Sequence, residues 1–564
     1  MSLNGALNIG RSAIVASQAA MQVAGNNMAN AATKGYHRRT VHLAAAGDEL
    51  IQRAQFVGTG VQLLAIRREV DTAMQSRFRN ASSQENSALI SQRFLTALET
   101  IQNELTDNDL SSELSNFFNS FSELANNPED HAVRTLVIEH GRNLANRLST
   151  LLNQHNDILA EVDRALATAV LTADGIVDRI AQLNIQIAQT EQGRSQANAL
   201  RDQRDLLIDE LAEFLDVSVV EQPNGALDVF VGSIPVVLSG ISRGLEMRTQ
   251  SVGNQVEVTI RVAADGTQLQ VDAGRIGGLM QQRSQTVQPA IDDLNTFASQ
   301  LIFEVNRQHA QGQGRTGQTS VTGTYGVNDP TATLNSAAAG LDFPISNGSF
   351  FIHVTHQATG LRTTHQINVN GNADSLNDLI NEINVVVGVP NVTAATGLGN
   401  TLTLTAASGF QISFSDDTSS ALAALGINTF FDGANASDID INQIVANDPD
   451  RLAAGAGHVP GSNGTALAMA NLQNQQITAL SDRSLREFWQ ESVNGLAVRT
   501  AAANDSVDAT RLVRESLSAQ IQAVSGVSLD EESINLLLFQ RQFQAAARFI
   551  AVIDETLQTL LSIA

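Results

Sequence analysis

The 564-residue sequence contains no cysteine. A chain without cysteine forms no disulfide, has no thiolate nucleophile and offers no sulfur ligand to a metal ion, so thiol enzymes and cysteine-ligated metal proteins are excluded. Aromatic residues make up only 4% of the chain and charged residues only 16%. The apolar content therefore comes mainly from Ala, Leu, Ile and Val, a composition typical of long helices packed through small side chains.

Basic residues are also scarce, since 34 Lys and Arg face 58 Asp and Glu and give a formal net charge of −24. A chain of this charge repels phosphate backbones, so we expect no nucleic-acid partner. Long apolar runs are missing too. The longest early run covers residues 13–16, which predicts neither a secretory signal nor a membrane insertion. From its length we expect two to four domains.

Two segments of the chain carry apolar residues at heptad spacing, each over about 26 residues or roughly 39 Å of helix. Small residues Gly10, Ser17 and Ala24 continue one N-terminal seam and would let a partner helix approach closely. Each stripe could be ordinary core, but two stripes of equal length favour helices that pair with each other or with copies. The predicted assembly seams comprise Leu3, Leu7, Ile14, Met21 and Met28 in the first segment, and Leu536, Phe539, Phe543, Ala546, Ile550, Ile553, Leu557 and Leu560 in the second.

The run that ends the first helical pattern resembles the signature of flagellar rod, hook and hook-associated proteins. In that family an Asn-Asn-x-Ala-Asn run leads to a Thr-x-Gly-Tyr turn. Lys34 stands where many members have proline. The matching motif residues are Asn26, Asn27, Ala29, Asn30, Thr33, Gly35 and Tyr36.

Further stretches are similar to the hook-associated members of this family in particular. They are 35–40, 56–61, 68–71, 200–207, 277–279, 306–309, 525–532 and 539–543. The resemblance implies a structural subunit that joins the flagellar hook to the filament and is needed for filament assembly, with no catalytic site, cofactor or metal. The alternative within the family is another axial protein, such as the hook protein or a second junction protein.

The resemblance also implies partners and a location. The expected partners are identical subunits in a ring, the hook protein, a second hook-associated junction protein, and a cytoplasmic export chaperone on the C-terminal helix. The expected location is extracellular, at the hook–filament junction of the bacterial flagellum, after export by the flagellar type III apparatus.

Changes in apolar period divide the chain, and they predict an α+β multidomain fold. We expect an elongated subunit with paired N- and C-terminal coiled-coil-like helices, a helical middle domain and inserted antiparallel β domains. The expected terminal helical core is 1–45 with 526–564, and the helical middle domain is 46–217, 272–315 and 445–525. A β-hairpin insert covers 218–271, and an outer β-rich domain with a hook-IN-like module covers 316–444.

Three patterns suggest chemistry, but their contexts favour other interpretations. Gly312, Gly314 and Gly317 match a dinucleotide fingerprint, yet a helix precedes them and Thr/Gly-rich chain follows, which favours a linker. A Gly-x-Ser-x-Gly match at 240–244 lies in a hairpin pattern, where a nucleophile elbow needs a following helix. His353, His356 and His365 could suggest a metal site, but residues i and i+3 of a strand face opposite sides, which favours solvated histidines.

Overall fold

The computed structural model describes residues 3–52, 55–102, 109–192, 195–253, 255–388, 391–457, 459 and 461–563. The chain forms two compact units, each assembled from separate stretches of sequence. The first unit comprises Met1–Arg93, Val162–Arg283 and Ala502–Ala564, and the second comprises Phe94–Glu161 and Ser284–Ala501. The four finer domains expected from the sequence stay a prediction.

Long helices account for most of the regular structure, as the scarcity of proline and aromatic residues predicts. A π-helical turn at Arg283–Val287 joins α6 to α7, and another at Asn384–Gly388 extends α8. The helices are α1 Leu3–Ala29, α2 Thr72–Gln102, α3 Leu110–Asn126, α4 His131–Glu191, α5 Asn198–Phe214, α6 Gly274–Gln282, α7 Gln288–Ala310, α8 Leu376–Ile383, α9 Ala421–Ala424, α10 Gln443–Asn447, α11 Gly464–Leu472, α12 Leu485–Ser525 and α13 Leu529–Ile563.

The strands form small sheets, and every strand pairing among the described residues is antiparallel. The sheet orders are β1-β4, β2-β3, β5-β6-β7-β8, β11-β10-β9, β12-β16-β15, β14-β13-β17 and β18-β19. The strands are β1 Arg39–Ala45, β2 Asp48–Gln52, β3 Gln55–Gly58, β4 Val61–Arg68, β5 Val217–Glu221, β6 Leu227–Val231, β7 Ile234–Leu238, β8 Ile241–Ser242, β9 Leu245–Val252, β10 Gln255–Val262, β11 Gln268–Leu269, β12 Ser320–Thr322, β13 Gly348–His356, β14 Arg362–Val369, β15 Val392–Thr396, β16 Leu402–Ala406, β17 Phe410–Ser415, β18 Phe431–Asp432 and β19 Asp440–Ile441.

The α+β class, with long terminal helices and antiparallel sheets, is confirmed. One part of the expectation is wrong. The sequence assigned residues 1–45 to a terminal helical core and 46–217 to a helical middle domain, whereas residues 39–68 form four strands in the first unit. β1 and β4 pair along their length, with Val41 opposite Ile66. The β-branched and alternating residues of these segments fit a pleated strand better than a helix.

Helix α4 runs through Asp174 and Gly175 without interruption, although neither residue favours a helix interior. In the first unit, Asp174 Oδ1 accepts a hydrogen bond of 2.8 Å from the backbone nitrogen of Leu245, at the start of β9. Gly175 faces open space. Asp174 therefore contacts the start of β9 through its side chain, and neither residue ends the helix.

The core of the second unit is built around Phe117 on α3. Its ring lies 5.2–5.6 Å from the rings of Phe118, Phe121, Phe430 and Phe431, measured between centroids. All five side chains are fully buried. The phenylalanines of α3 thus form packed core, as their helical spacing predicts.

Candidate assembly site: the helix pair and the motif cluster

Helices α1 and α13 of the first unit pack side by side. They come close at Gly10, where an added Cβ would lie 2.5 Å from Cγ1 of Ile550. Ser17 and Ala24, seven and fourteen residues further along α1, are also buried. The seam of small residues is therefore the face of α1 that receives α13.

The predicted seam residues are brought to this interface to different degrees. Ala546 and Ile553 are buried, and Leu560 is 53% exposed. The remaining seam residues are half-buried, and they are Leu3, Leu7, Ile14, Met21, Met28, Leu536, Phe539, Phe543, Ile550 and Leu557. Their role in assembly stays a prediction.

Helix α13 carries a further apolar stripe that the sequence reasoning missed. We call it the open seam, and it consists of Ile534, Leu538, Ala545, Phe549 and Val552. Its four large side chains are 44–67% exposed, and the Phe549 ring also lies against α1 at Gly10. It lies roughly 100° around the helix from the Ala546 face, because neighbouring residues are separated by that angle. The seven-residue spacing of Leu538, Ala545 and Val552 is the sequence pattern from which this stripe could have been predicted.

The predicted motif residues fold into a compact polar cluster at the end of α1. We define the motif cluster as Asn27, Tyr36, Arg38, Arg39 and Glu532. Asn27 is 1% exposed and uses its whole amide. Its Nδ2 donates to Glu532 Oε2 at 3.1 Å and to the Arg39 carbonyl at 2.9 Å. Its Oδ1 accepts from the Tyr36 hydroxyl at 2.8 Å and the Arg39 nitrogen at 3.0 Å.

The other motif residues shape the turn that places Tyr36. Asn30 Nδ2 donates to the Asn26 carbonyl at 2.9 Å, and the Thr33 nitrogen donates to the Asn30 carbonyl at 2.9 Å. Gly35 has a φ of +78°, a conformation that favours glycine, and sits against Leu206 of α5. Asn26, Ala29 and Thr33 are exposed, so the motif residues lie together but only Asn27 is fully buried.

Arg38 connects the motif to the start of α13. Its Nε donates to Glu532 Oε1 at 2.8 Å, and its Nη1 lies 2.9 Å from Glu531 Oε2. Its backbone nitrogen donates to the Ser525 carbonyl at 2.9 Å. Charge-assisted bonds of this kind are short and directional, so they fix where α13 begins.

A second group of charged residues, centred on Asp202 of α5, holds residues 37–39 and Arg68. This carboxylate accepts from His37 at 2.9 Å, from Arg68 at 2.9 Å and from Arg39 at 3.2 Å. Burial opposes its ionisation, but the hydrogen bonds from His37 and Arg68 outweigh burial and hold the pKa of Asp202 below its usual range. Sequence reasoning missed this group, because nothing local links residue 202 to residues 37–39.

The family model "Flagellar hook-associated protein FlgK helical domain" matches residues 95–322, and "Flagellar basal body rod FlgEFG protein C-terminal" matches residues 520–563. The chain is 25% identical to flagellar hook-associated protein 1 of Escherichia coli strain K12, over 99% of both chains. It is 25% identical to the protein of that name from Bacillus subtilis strain 168, over 99% of this chain and 97% of the relative. The corresponding protein of Salmonella typhimurium is 26% identical over 99% of both.

The chain is similar to flagellar hook-associated protein 1 along its whole length and carries the helical domain of that protein.

A solved structure shares the fold of this chain. It is the flagellar hook junction protein FlgK from Burkholderia pseudomallei, with a TM-score of 0.53 and 16% identity, covering 80% of this chain and all of that one. The proteins that the chain resembles are structural components of the flagellum, and the chain is not an enzyme. The resemblance inferred from the motifs is confirmed.

The glycines of the matches at 312–317 and 240–244 are explained by close packing and by backbone conformation. An added Cβ on Gly312 would lie 2.7 Å from Ala453, and one on Gly314 would lie 2.5 Å from the Asp450 carbonyl, so the chain passes too close for side chains. Gly240 and Gly244 have φ values of +79° and +68° in the turns that flank β8. Both matches are therefore backbone requirements, as their contexts favour.

The histidine prediction is partly wrong. His353 is 7% exposed, and its ring nitrogens lie 2.9 Å from Thr364 Oγ1 and 2.8 Å from Ser415 Oγ. The two hydroxyls on the neighbouring strands satisfy the imidazole, and burial lowers its pKa to about 4. His356 and His365 are half-exposed. Over the described residues no group of three His, Asp or Glu side chains could hold a metal, and no helix is both long and apolar enough to span a bilayer.

Proposed function

We propose that this chain joins the flagellar hook to the filament and is needed for filament assembly. The observation that carries the proposal is the open seam of α13, which remains exposed although α1 already covers the neighbouring Ala546 face. An apolar stripe at heptad spacing is stabilised only when another helix covers it, at about 25 cal/mol per Å² of buried apolar surface. The relatives are named hook-associated protein 1, which supports the junction over other axial positions.

The open seam also indicates how the chain would contact its partners. Identical subunits in a ring cover each open seam with a neighbouring copy, the hook protein lies on one side of the ring, and a second hook-associated junction protein lies on the other. The seam residues Leu7, Ile14, Met21 and Met28, which α13 leaves half-exposed, widen this surface. The proposed terminal core is 1–45 with 526–564, and the β-rich part, 316–444, faces outward.

The exposed apolar side chains of the open seam need to be covered by another protein before assembly. We place the assembled protein outside the cell at the hook–filament junction, and its passage through the flagellar type III apparatus as a largely unfolded chain. A cytoplasmic export chaperone would cover the open seam of α13 in the meantime, in the manner of a groove that receives an amphipathic helix. Exposed Ile534 and Leu538 are the first residues that such a groove would bury.

The test is complementation of a strain that lacks the corresponding gene. The double substitution Leu538→Gln and Val552→Gln makes the open seam polar and leaves the α1-facing residues unchanged, so we expect a folded subunit and no filaments. Gln544→Ser, an exposed polar position on the same helix, is the matched control and should restore filaments. A chain that ends at Asp530 lacks both seams of α13 and should fail in the same way.

Normal filament growth with the double variant, or with the chain that ends at Asp530, would contradict the proposal. Labelled antibody on isolated hook–basal bodies separates a position at the junction from one along the rod or the hook. Label at the tip of the hook supports the junction role, whereas label along the rod or hook would identify another axial protein.

A further inference from the structure

The break between α12 and α13 is short and lies beside an open space. Only Gly526, Val527 and Ser528 separate the two helices. The Gly526 nitrogen donates to the Gln522 carbonyl at 2.9 Å and ends α12, and the Ser528 carbonyl accepts from the Glu532 nitrogen at 3.0 Å and begins α13. The three residues therefore satisfy the helix ends and leave the angle between the helices to other contacts.

A cavity of about 1160 Å³ borders this break in the first unit. Its walls come from the motif loop, which we define as residues 31–38, and from α2, α5, α12 and the break itself. A volume of this size holds several tens of water molecules. The packing that usually fixes the angle between two consecutive helices is therefore missing on this side.

Arg38 is placed to supply the missing constraint. It binds the last residue of α12 through its backbone nitrogen and Ser525, and the first turn of α13 through its guanidinium and Glu532. Its own carbonyl accepts a 2.9 Å hydrogen bond from the Glu69 nitrogen, at the end of β4. The Glu532 side chain is 3% exposed, while Glu531, the second partner, is 60% exposed.

The β1–β4 ribbon is a second connection between the helix pair and α5, and it contains a bulge at which it can bend. The β1–β4 ribbon packs against α1 through the Val61 nitrogen, which donates to Ser12 Oγ at 3.2 Å. Its far end is fixed to α5 by Arg39 and Arg68 on Asp202. Between these two points the register of the ribbon shifts after His42. Such bulges bend a strand locally, so the ribbon can follow a movement of the helix pair.

We propose that Arg38 and Glu532 form a latch that sets the angle between α12 and α13. With the latch closed, the α1–α13 pair has one orientation relative to α2, α5 and the end of α12. With the latch open, the pair turns over the cavity about residues 526–528 and about the hydrogen bonds that join Asn27 to the Arg39 backbone, and the bulge lets the rest of the ribbon follow. The inference concerns the free subunit and does not depend on the proposed junction role.

The test is a distance measurement by pulsed electron paramagnetic resonance on the full-length monomer. Because the chain has no cysteine, Ala519→Cys on α12 and Gln540→Cys on α13 give two clean spin-label sites, and both positions are exposed. We expect one narrow distance distribution for the parent and a broad one for Arg38→Ala and Glu532→Ala. The double variant should be no broader than either single one, since each removes the same latch.

Two further variants separate the latch from general loss of stability. Arg38→Lys keeps the positive charge and should give an intermediate width. Arg511→Ala removes an exposed arginine of α12 whose partner is Asp508 in the same helix, and should leave the distribution narrow. Should the alanine variants lose their helical circular dichroism, Glu532→Gln, which keeps an acceptor for Asn27, takes their place and should broaden the distribution. A narrow distribution in folded Arg38→Ala or in Glu532→Gln, or a broad one in the parent, would overturn the proposal.

Discussion

Asn27 on α1 donates a 3.1 Å hydrogen bond to Glu532 on α13, across 505 positions of sequence. The same amide binds the Tyr36 hydroxyl and both backbone groups of Arg39. One buried side chain therefore joins the end of α1, the turn after it and the start of α13. A buried polar group with a single set of partners also fixes the register of two helices, as buried asparagines do in coiled coils.

We predict that Asn27→Ala destabilises the protein far more than the same change at its neighbour Asn26. The substitution leaves the Glu532 carboxylate and the Arg39 backbone groups without their partner in a buried place, which costs about 3 kcal/mol. Asn26 is exposed, so Asn26→Ala should stay within about 0.5 kcal/mol. Denaturant unfolding followed by circular dichroism measures both. Equal effects at the two positions would show that burial of the Asn27 network contributes little.

Much of this site could be read from the sequence, but only where the signal is local. Heptad spacing predicted α1 and α13, and the asparagine motif pointed to the residues around Asn27. Glu532 was visible only as part of the family-like stretch 525–532, because a contact across 505 positions leaves no periodic trace.

The errors have similar causes. The strands at 39–68 were missed because the long helices on either side dominated the pattern. His353 was expected in solvent, whereas two strands that pair with β13 supply hydroxyls to its ring. Side-chain partners on other strands override a local reading of polarity.

We predict opposite effects of the same substitution at two glycines of α1. At Gly25 no neighbouring atom lies within 4 Å of the position that an added Cβ would occupy, so Gly25→Ala should stabilise the helix by up to about 1 kcal/mol. At Gly10 the new methyl group would lie 2.5 Å from Ile550, and overpacking should cost about 1 to 3 kcal/mol.

The clash at Gly10 can be checked by removing its cause. Ile550→Ala creates space, so its combination with Gly10→Ala should be more stable than the sum of the separate effects predicts. Thermal unfolding of the four chains gives the coupling. Additive effects would mean that α1 and α13 do not approach closely at this point.

We predict that His309 makes stability depend on pH. The ring is fully buried; Nδ1 donates to the Asn428 carbonyl at 2.7 Å, and Nε2 accepts from the Ala453 nitrogen at 2.9 Å. Burial lowers the pKa of His309 to about 4, against an ordinary value of 6.5. Between these values the unfolded chain binds more protons than the folded one. The stabilisation is therefore complete above pH 6.5 and is lost as the pH falls toward 4, by roughly 3 kcal/mol in total.

Comparison with His309→Asn isolates this effect from the other titrating groups. The asparagine amide can replace one of the two hydrogen bonds and does not titrate. The free-energy difference between the parent and the variant should therefore shrink from pH 7 to pH 5 in urea unfolding experiments. A difference that stays constant over this interval would assign the pH dependence to other residues.

The β-rich part of the second unit should be removable by a deletion between Gln318 and Asn428. Gln318 Nε2 donates to Asn428 Oδ1 at 2.7 Å, so the chain leaves and returns at neighbouring points. We predict that replacing residues 319–427 by a short glycine linker preserves the folded core and filament assembly, because Phe430 and Phe431 remain against Phe117. Extending the deletion through residue 432 removes both rings and should unfold the second unit. If the shorter deletion folds, as judged by cooperative thermal unfolding, yet forms no filaments in complementation, the β-rich part takes a direct role in assembly and does not merely face outward.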